Sequence, residues 1–235
     1  MNQESLARLR RLGVVKGARQ LKSAPGKRPV TDGETAMRAR LEQTHEDPQP
    51  LERLLPGLAT VETVEGDCAV LDHVYPLQQQ HGAHRLADLL AHTGECAARF
   101  CQDERLAHTT FRDYLFLDTE TTGLNGAGTL AFMVGLGFFD DDAFVVRQYF
   151  LRDPGDEPAM LLLLEELLQR CEGLITFNGR SFDLPLLDGR FLINRKPCDL
   201  LERPHIDLLP AARRLWRQRF ESCALGSLER NLLGL

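Results

Sequence analysis

Asp118-Thr119-Glu120-Thr121-Thr122-Gly123-Leu124 follows directly on the apolar run Tyr114-Leu115-Phe116-Leu117. Such a near-continuous run is the pattern of a strand in the middle of a sheet, covered on both faces. Side chains two positions apart on a strand project to the same side, so Asp118 and Glu120 share a face. Held that close, the two carboxylates repel unless a cation or a shared proton neutralises them. Mg²⁺ and Mn²⁺ take oxygen ligands, so a strand-borne Asp-x-Glu has the chemistry of half a metal site. Alone, the motif is common. A second stretch, Thr176-Phe177-Asn178-Gly179-Arg180-Ser181-Phe182-Asp183-Leu184-Pro185-Leu186-Leu187, supplies a further carboxylate, and the two together carry the information.

Working outward, residues 129–139 and 143–151 read as two more strands around Asp140-Asp141-Asp142, an acidic triplet read as a solvated hairpin turn. Asp156-Glu157-Pro158 opens a helix running to about residue 170, with Pro158 in its first turn. Residues 174–178 form a fourth strand, 181–193 a helix and 205–208 a short fifth strand. Residues 210–219 and 225–233 read as helices. Three strands in meander, then helix–strand–helix–strand–helix, is the element order of an α/β ribonuclease H-like mixed sheet flanked by helices.

Residues 51–110 read as a small leading α+β unit. Its hairpin pairs residues 59–64 with 68–75 and turns at Glu65-Gly66-Asp67; short helices follow at 86–92 and 95–102. His73, His81, His84, His92 and His108 include no pair at helical i, i+4 spacing with an intervening Glu, so they are assigned to surface or packing. Residues 1–50 hold ten Lys/Arg and six Asp/Glu, net +4, and are rich in Pro, Gly and Lys between residues 23 and 32. They read as a flexible basic arm with a short helix at 6–12, and the charge suits contact with nucleic acid or a partner.

The whole chain carries a net charge of −6, which argues against a generally basic nucleic-acid coat. The acidic part, residues 51–235 at net −10, stays compatible with nucleic acid if bound cations offset the site's charge. With 43% apolar residues the chain can bury a core. Its longest apolar stretch, residues 130–139, is too short to span a bilayer, and residues 1–11 lack the apolar region of a secretory signal. Six cysteines at irregular spacing, without a Cys-x-x-Cys pair, fit reduced thiols in a cytoplasmic protein.

Both signatures together resemble the DEDD (DnaQ-like) 3′–5′ exonucleases of the ribonuclease H-like superfamily, and their details are most similar to its YprB-like branch. Residues 118–124 match the first exonuclease motif and residues 176–187 the second, of the form Asn-x-x-x-Phe-Asp. The resemblance covers roughly residues 111–235. It implies a ribonuclease H-like exonuclease domain in which Asp118, Glu120 and Asp183 are catalytic and hold two Mg²⁺ or Mn²⁺ ions. The reaction would remove 5′-mononucleotides from the 3′ end of DNA or RNA. By the same resemblance Thr121, Leu124 and Asn178 contact the terminal nucleotide, and a helicase is the implied partner. Through Leu235 the chain shows no third motif, an Asp with Tyr or His a few residues before it. The exonuclease domain is therefore expected to be truncated before that motif. The alternative function is a catalytically incomplete ribonuclease H-like module that binds nucleic acid or a partner.

Each carboxylate also has a structural use: Asp118 as a strand-end turn cap, Asp183 as a carboxylate favoured by a helix N-terminus. Phe182 is expected in the core, fixing Asp183. Asp207, at a strand end, is given a turn role ahead of metal binding. Arg213, Arg214, Arg217 and Arg219 flank Trp216. They suit either a phosphate backbone with a stacked base or an ordinary solvated helix with Trp216 in the core.

Overall fold

The computed structural model describes residues 51–123 and 128–235. The basic arm of residues 1–50, with its expected helix at 6–12, and the substrate-contact residue Leu124 lie outside the described residues. The main strands are β1 (Ala59–Thr63), β2 (Gly66–Pro76), β3 (Tyr114–Thr121), β4 (Ala131–Asp140), β5 (Ala143–Phe150), β6 (Gly173–Thr176) and β7 (His205–Asp207). The main helices are α1 (Gly94–Cys101), α2 (Glu157–Gln169), α3 (Asp183–Ile193) and α4 (Leu208–Trp216). A helical turn at Leu225–Leu228 runs on as a π-helical turn over Glu229–Leu233.

The seven strands make one sheet in the order β1-β2-β5-β4-β3-β6-β7. Neighbours are antiparallel from β1 through β3, and the β3–β6 and β6–β7 pairs are parallel. This is the mixed, helix-flanked sheet expected from the element order. The leading hairpin forms and joins the sheet, because β2 pairs along its length with β5, from Ala69↔Phe150 to Pro76↔Ala143. Four consecutive residues of β2, Cys68 to Leu71, are buried, so this stretch is covered on both faces.

Period-two alternation along β3 sends Leu115, Leu117 and Thr119 to one face and Tyr114, Phe116, Asp118 and Glu120 to the other. On the first face, Leu115, Leu117, Val134, Leu136 and Leu174 pack against Leu161, Leu164 and Leu168 of α2 and Leu184, Leu187 and Phe191 of α3. On the second, Tyr114, Ile175 and Ile206 pack under Ala97 and Ala98 of α1 and Leu106. A fully buried leucine contributes roughly 1.5–3 kcal/mol, so the leucine-rich α2 is held by packing. The ion pair between Glu157 and Arg190 joins α2 to α3 at 2.6 Å on both oxygens, and Asn194 adds a third bond at 2.7 Å. Glu157 is buried, and breaking such a pair costs about 3–5 kcal/mol, so it fixes the helix that begins with Asp183.

Several boundaries differ by a few residues from the sequence reading, α4 for instance spanning Leu208–Trp216 rather than 210–219, and two of the differences bear on the site. Strand β3 runs on through Thr121, with a register shift between Glu120 and Thr121, so both carboxylates lie within a paired strand. Strand β6 stops at Thr176 and α3 starts at Asp183. Asn178 adopts a left-handed backbone (φ 70°), which ends the strand before the expected residue 178. The acidic triplet does form the β4–β5 turn, with Asp141 at φ 44°. All six cysteines are free thiols.

Candidate active site

The site is built at the C-terminal end of β3. Asp118 and Glu120 are exposed on one face, and Thr119 between them is buried on the other. Their cross-strand neighbours on β4 are Gly135 and Met133 respectively. Gly135 puts no side chain beside Asp118, and Gln148 of β5, paired with Gly135, donates its amide Nε2 to Met133 Sδ at 3.2 Å.

The parallel pairing of β3 with β6 ends at Phe116↔Ile175, which leaves the next part of that β3 edge without a strand partner. Asp183 fills it. Its Oδ1 accepts the backbone N–H of Thr119 at 3.1 Å and the Thr119 hydroxyl at 2.5 Å. Asp118 and Asp183, 65 positions apart in sequence, are thereby brought to the same strand end.

Burial and neighbouring charge shift both carboxyls upward. The Asp118 carboxyl is pushed above the usual carboxylate range by partial desolvation, then by the charges of Asp183 and Glu120. Asp183 is also pushed up, chiefly by burial, against the opposing pull of the Thr119 hydrogen bonds. Among the described residues, however, no group of three or more His, Cys, Asp and Glu side chains is arranged so as to hold a metal ion. Asp183 has one oxygen committed to Thr119, so the structure gathers the predicted carboxylates without converging all three on one point.

The turn that carries Asp183 is held from β7. Asp207 is buried; its Oδ1 accepts N–H of Asn178 at 2.8 Å and of Leu209 at 3.1 Å, and its Oδ2 accepts N–H of Arg180 at 3.2 Å. It is the N-cap of α4 and an anchor for the turn, in line with the structural role read from its position. Between those two amides, the N–H of Gly179 donates to Thr176 Oγ1 at 3.1 Å. Thr176 Oγ1 in turn lies 2.8 Å from His205 Nε2. Burial, with a further push from the charge of Arg180, lowers the His205 imidazole to about 4, so it is neutral near pH 7.

Of the residues expected to contact substrate, Thr121 is half-buried and donates its hydroxyl to Gly123 O at 2.8 Å, closing the turn after β3. Asn178 is exposed in the turn between β6 and α3. Phe182 is half-buried but belongs to neither core cluster, contrary to the expected core anchor; Asp183 is held instead by the hydrogen bonds from Thr119. Trp216 is half-buried, and Arg213, Arg214, Arg217 and Arg219 are exposed around it. His73, His81, His84, His92 and His108 are all exposed, as assigned. The contributions of Thr119, Thr176 and His205 were not read from the sequence. The one available signal was a small hydroxyl residue on the core side of a strand, between two carboxylates.

The family model described as the RNase_H superfamily matches residues 115–235, a span that contains Asp118, Glu120 and Asp183. Over 178 residues the chain is 34% identical to the uncharacterized protein YprB of Bacillus subtilis (strain 168), covering 72% of this chain and 41% of that protein. The chain thus spans about two-fifths of the length of the curated relative it matches. Among the described residues no helix is long and apolar enough to cross a membrane.

Proposed function

The chain belongs to the RNase_H superfamily, and we propose that it is a metal-dependent 3′–5′ exonuclease that hydrolyses terminal phosphodiesters of nucleic acid. Superfamily membership points to nuclease chemistry and a nucleic-acid substrate. The finer reading is carried by one observation: Asp183 is seated on Thr119, between Asp118 and Glu120 in sequence, so carboxylates from distant motifs share a strand end. The donor set is all oxygen, and the charges of Asp183 and Glu120 add to the desolvation that raises the Asp118 carboxyl, which fits a hard divalent cation such as Mg²⁺ or Mn²⁺. In this reading Asp118, Glu120 and Asp183 hold two such ions. When bound, they lower the pKa of an attacking water and offset charge at the leaving 3′ oxygen. Thr119 holds Asp183 against the strand. The Thr121–Gly123 turn and Asn178 flank the same end and position the terminal nucleotide.

A 3′-labelled oligonucleotide tests the reading. Mg²⁺- or Mn²⁺-dependent release of mononucleotides, abolished in Asp118→Ala, Glu120→Ala and Asp183→Ala alike, is the expected result. Release that survives Asp183→Ala, or excess chelator, overturns it.

A second reading has its own observation. No group of three ligand-type side chains among the described residues is arranged to hold a metal, which favours a module that binds nucleic acid without cleaving it. Tight binding of the same oligonucleotide with no release under either cation is the outcome that selects it.

A further inference from the structure

We propose that Asp207 is a positioning residue for Asp183, acting through the turn at residues 178–180. The inference rests on the nuclease reading for its catalytic consequence, while its structural core stands on the turn alone. Asp207 binds amides on both sides of Gly179, at Asn178 and Arg180, and caps α4 through Leu209. The carbonyl of Gly179 then accepts N–H from Phe182 at 3.3 Å and from Leu184 at 2.9 Å, the residues on either side of Asp183. Asp183 therefore begins α3 at a height set by the turn, and that height places its Oδ1 on Thr119. The linkage runs β7, turn, α3, β3, across the two parallel strand pairs. Buried carboxylates that accept several backbone N–H groups are charge-assisted and geometrically demanding, which suits Asp207 to fix a neighbour rather than to ligate an ion.

The turn function separates from the capping function by substitution. Serine is a good N-cap, so Asp207→Ser preserves the α4 cap, but its single short hydroxyl cannot serve Asn178 and Arg180 as well. Asp207→Asn keeps one oxygen for Asn178 and Leu209 and loses the acceptor for Arg180, giving a milder, nearly isosteric variant.

Amide hydrogen exchange on the ¹⁵N-labelled full chain is the primary readout. In Asp207→Ser the amides of Asn178 and Arg180 should exchange faster. So should that of Thr119, in another strand, by about tenfold or more, while Leu209 stays close to wild type. In Asp207→Asn the Thr119 effect should be smaller and in the same direction. Unchanged Thr119 exchange in both variants, whatever happens at Asn178 and Arg180, overturns the proposal. Cleavage is the second readout. Single-turnover release from the 3′-labelled oligonucleotide should fall about 10²-fold in Asp207→Ser, with oligonucleotide affinity nearly unchanged, because a small misplacement of a reacting group has that scale of effect. Loss of affinity with an unchanged single-turnover rate also overturns it. If wild type shows no cleavage that Asp118→Ala removes, the nuclease reading fails, and the exchange result still decides the role of Asp207.

Discussion

Thr119 and Asp183 stand 64 positions apart, and the backbone N–H and hydroxyl of the first both donate to a single carboxylate oxygen of the second. A strand edge left open by the end of β6 is closed by a side chain instead of a strand. The same contact brings the second motif's carboxylate beside the first motif's pair.

Thr119→Val removes the hydroxyl and keeps the backbone donor. A hydrogen bond to a charged group contributes about 1.5–3 kcal/mol, and Asp183 is buried, so a loss of about 2 kcal/mol at neutral pH is expected. The Thr119 bonds hold the Asp183 carboxyl down against burial, so the valine variant should titrate still higher. Its deficit should therefore narrow as pH falls and Asp183 takes up a proton. Urea midpoints at neutral and acidic pH measure both effects, and Thr119→Ser should restore most of the loss.

Asp118 gives the opposite kind of expectation. Its carboxyl is raised in the folded state by partial desolvation and by Asp183 and Glu120. The folded chain then binds its proton more tightly than the unfolded chain, so stability is lost as pH rises from the ordinary carboxylate range through the raised value. Asp118→Asn removes that loss and should be more stable than wild type at neutral pH, with the gap closing in acid. On the proposed two-ion reading, Mn²⁺ should reverse the order by binding the wild type at Asp118. At a tenfold excess over Kd the gain is about 1.4 kcal/mol, and the asparagine variant should show much less. Calorimetric titration beside thermal melts checks this; equal Mn²⁺ binding by both proteins would remove Asp118 from the site.

His205 is lowered from 6.5 to about 4, so it contributes stability above its unfolded value that is lost as pH falls through the folded one. That difference corresponds to roughly 3 kcal/mol of acid sensitivity between those values. His205→Gln keeps a partner for Thr176 and cannot charge. Its stability should vary less over that window than wild type does, a comparison made by denaturant midpoints across the range.

The carboxylate pair and the strand that carries it were legible because their signal is local: an apolar run, then two acids at period two. Asp183 was legible through the spacing of a second motif, and the element order placed it near the first. Thr119 was not, because its role depends on where β6 stops, and β6 stops at Thr176, two residues before Asn178 takes a left-handed conformation. Tertiary contact decides that, since Asp207 holds the Asn178 amide from another strand. The hairpin's alternation showed two strands, but nothing local said that β2 pairs with β5 and widens the main sheet. Phe182 shows the reverse error. An aromatic beside a key acid suggested packing, whereas hydrogen bonds from polar neighbours do the positioning.

Gly179→Ala offers the sharpest test of how tightly the second motif is built. A Cβ at this position would lie 2.5 Å from Thr176 Oγ1 and 2.6 Å from Thr176 Cβ, closer than real contacts allow. Thr176 cannot swing away freely, since its hydroxyl is held 2.8 Å from His205 Nε2 and accepts the Gly179 N–H itself. The turn must therefore shift outward, lengthening the Asp207 bonds and drawing Asp183 from Thr119. Overpacking of this kind costs typically about 1–3 kcal/mol. Ser181→Ala, at an exposed position two residues on, should be nearly neutral by comparison. Stability by denaturation and Mn²⁺-dependent release from a 3′-labelled oligonucleotide should fall together in Gly179→Ala. Thr176→Ala on that background should recover only part of both, because it removes Oγ1 and Cγ2 but leaves the Cβ clash. Wild-type stability in Gly179→Ala would mean that the turn tolerates displacement, and the second motif would then be held far more loosely than these contacts require.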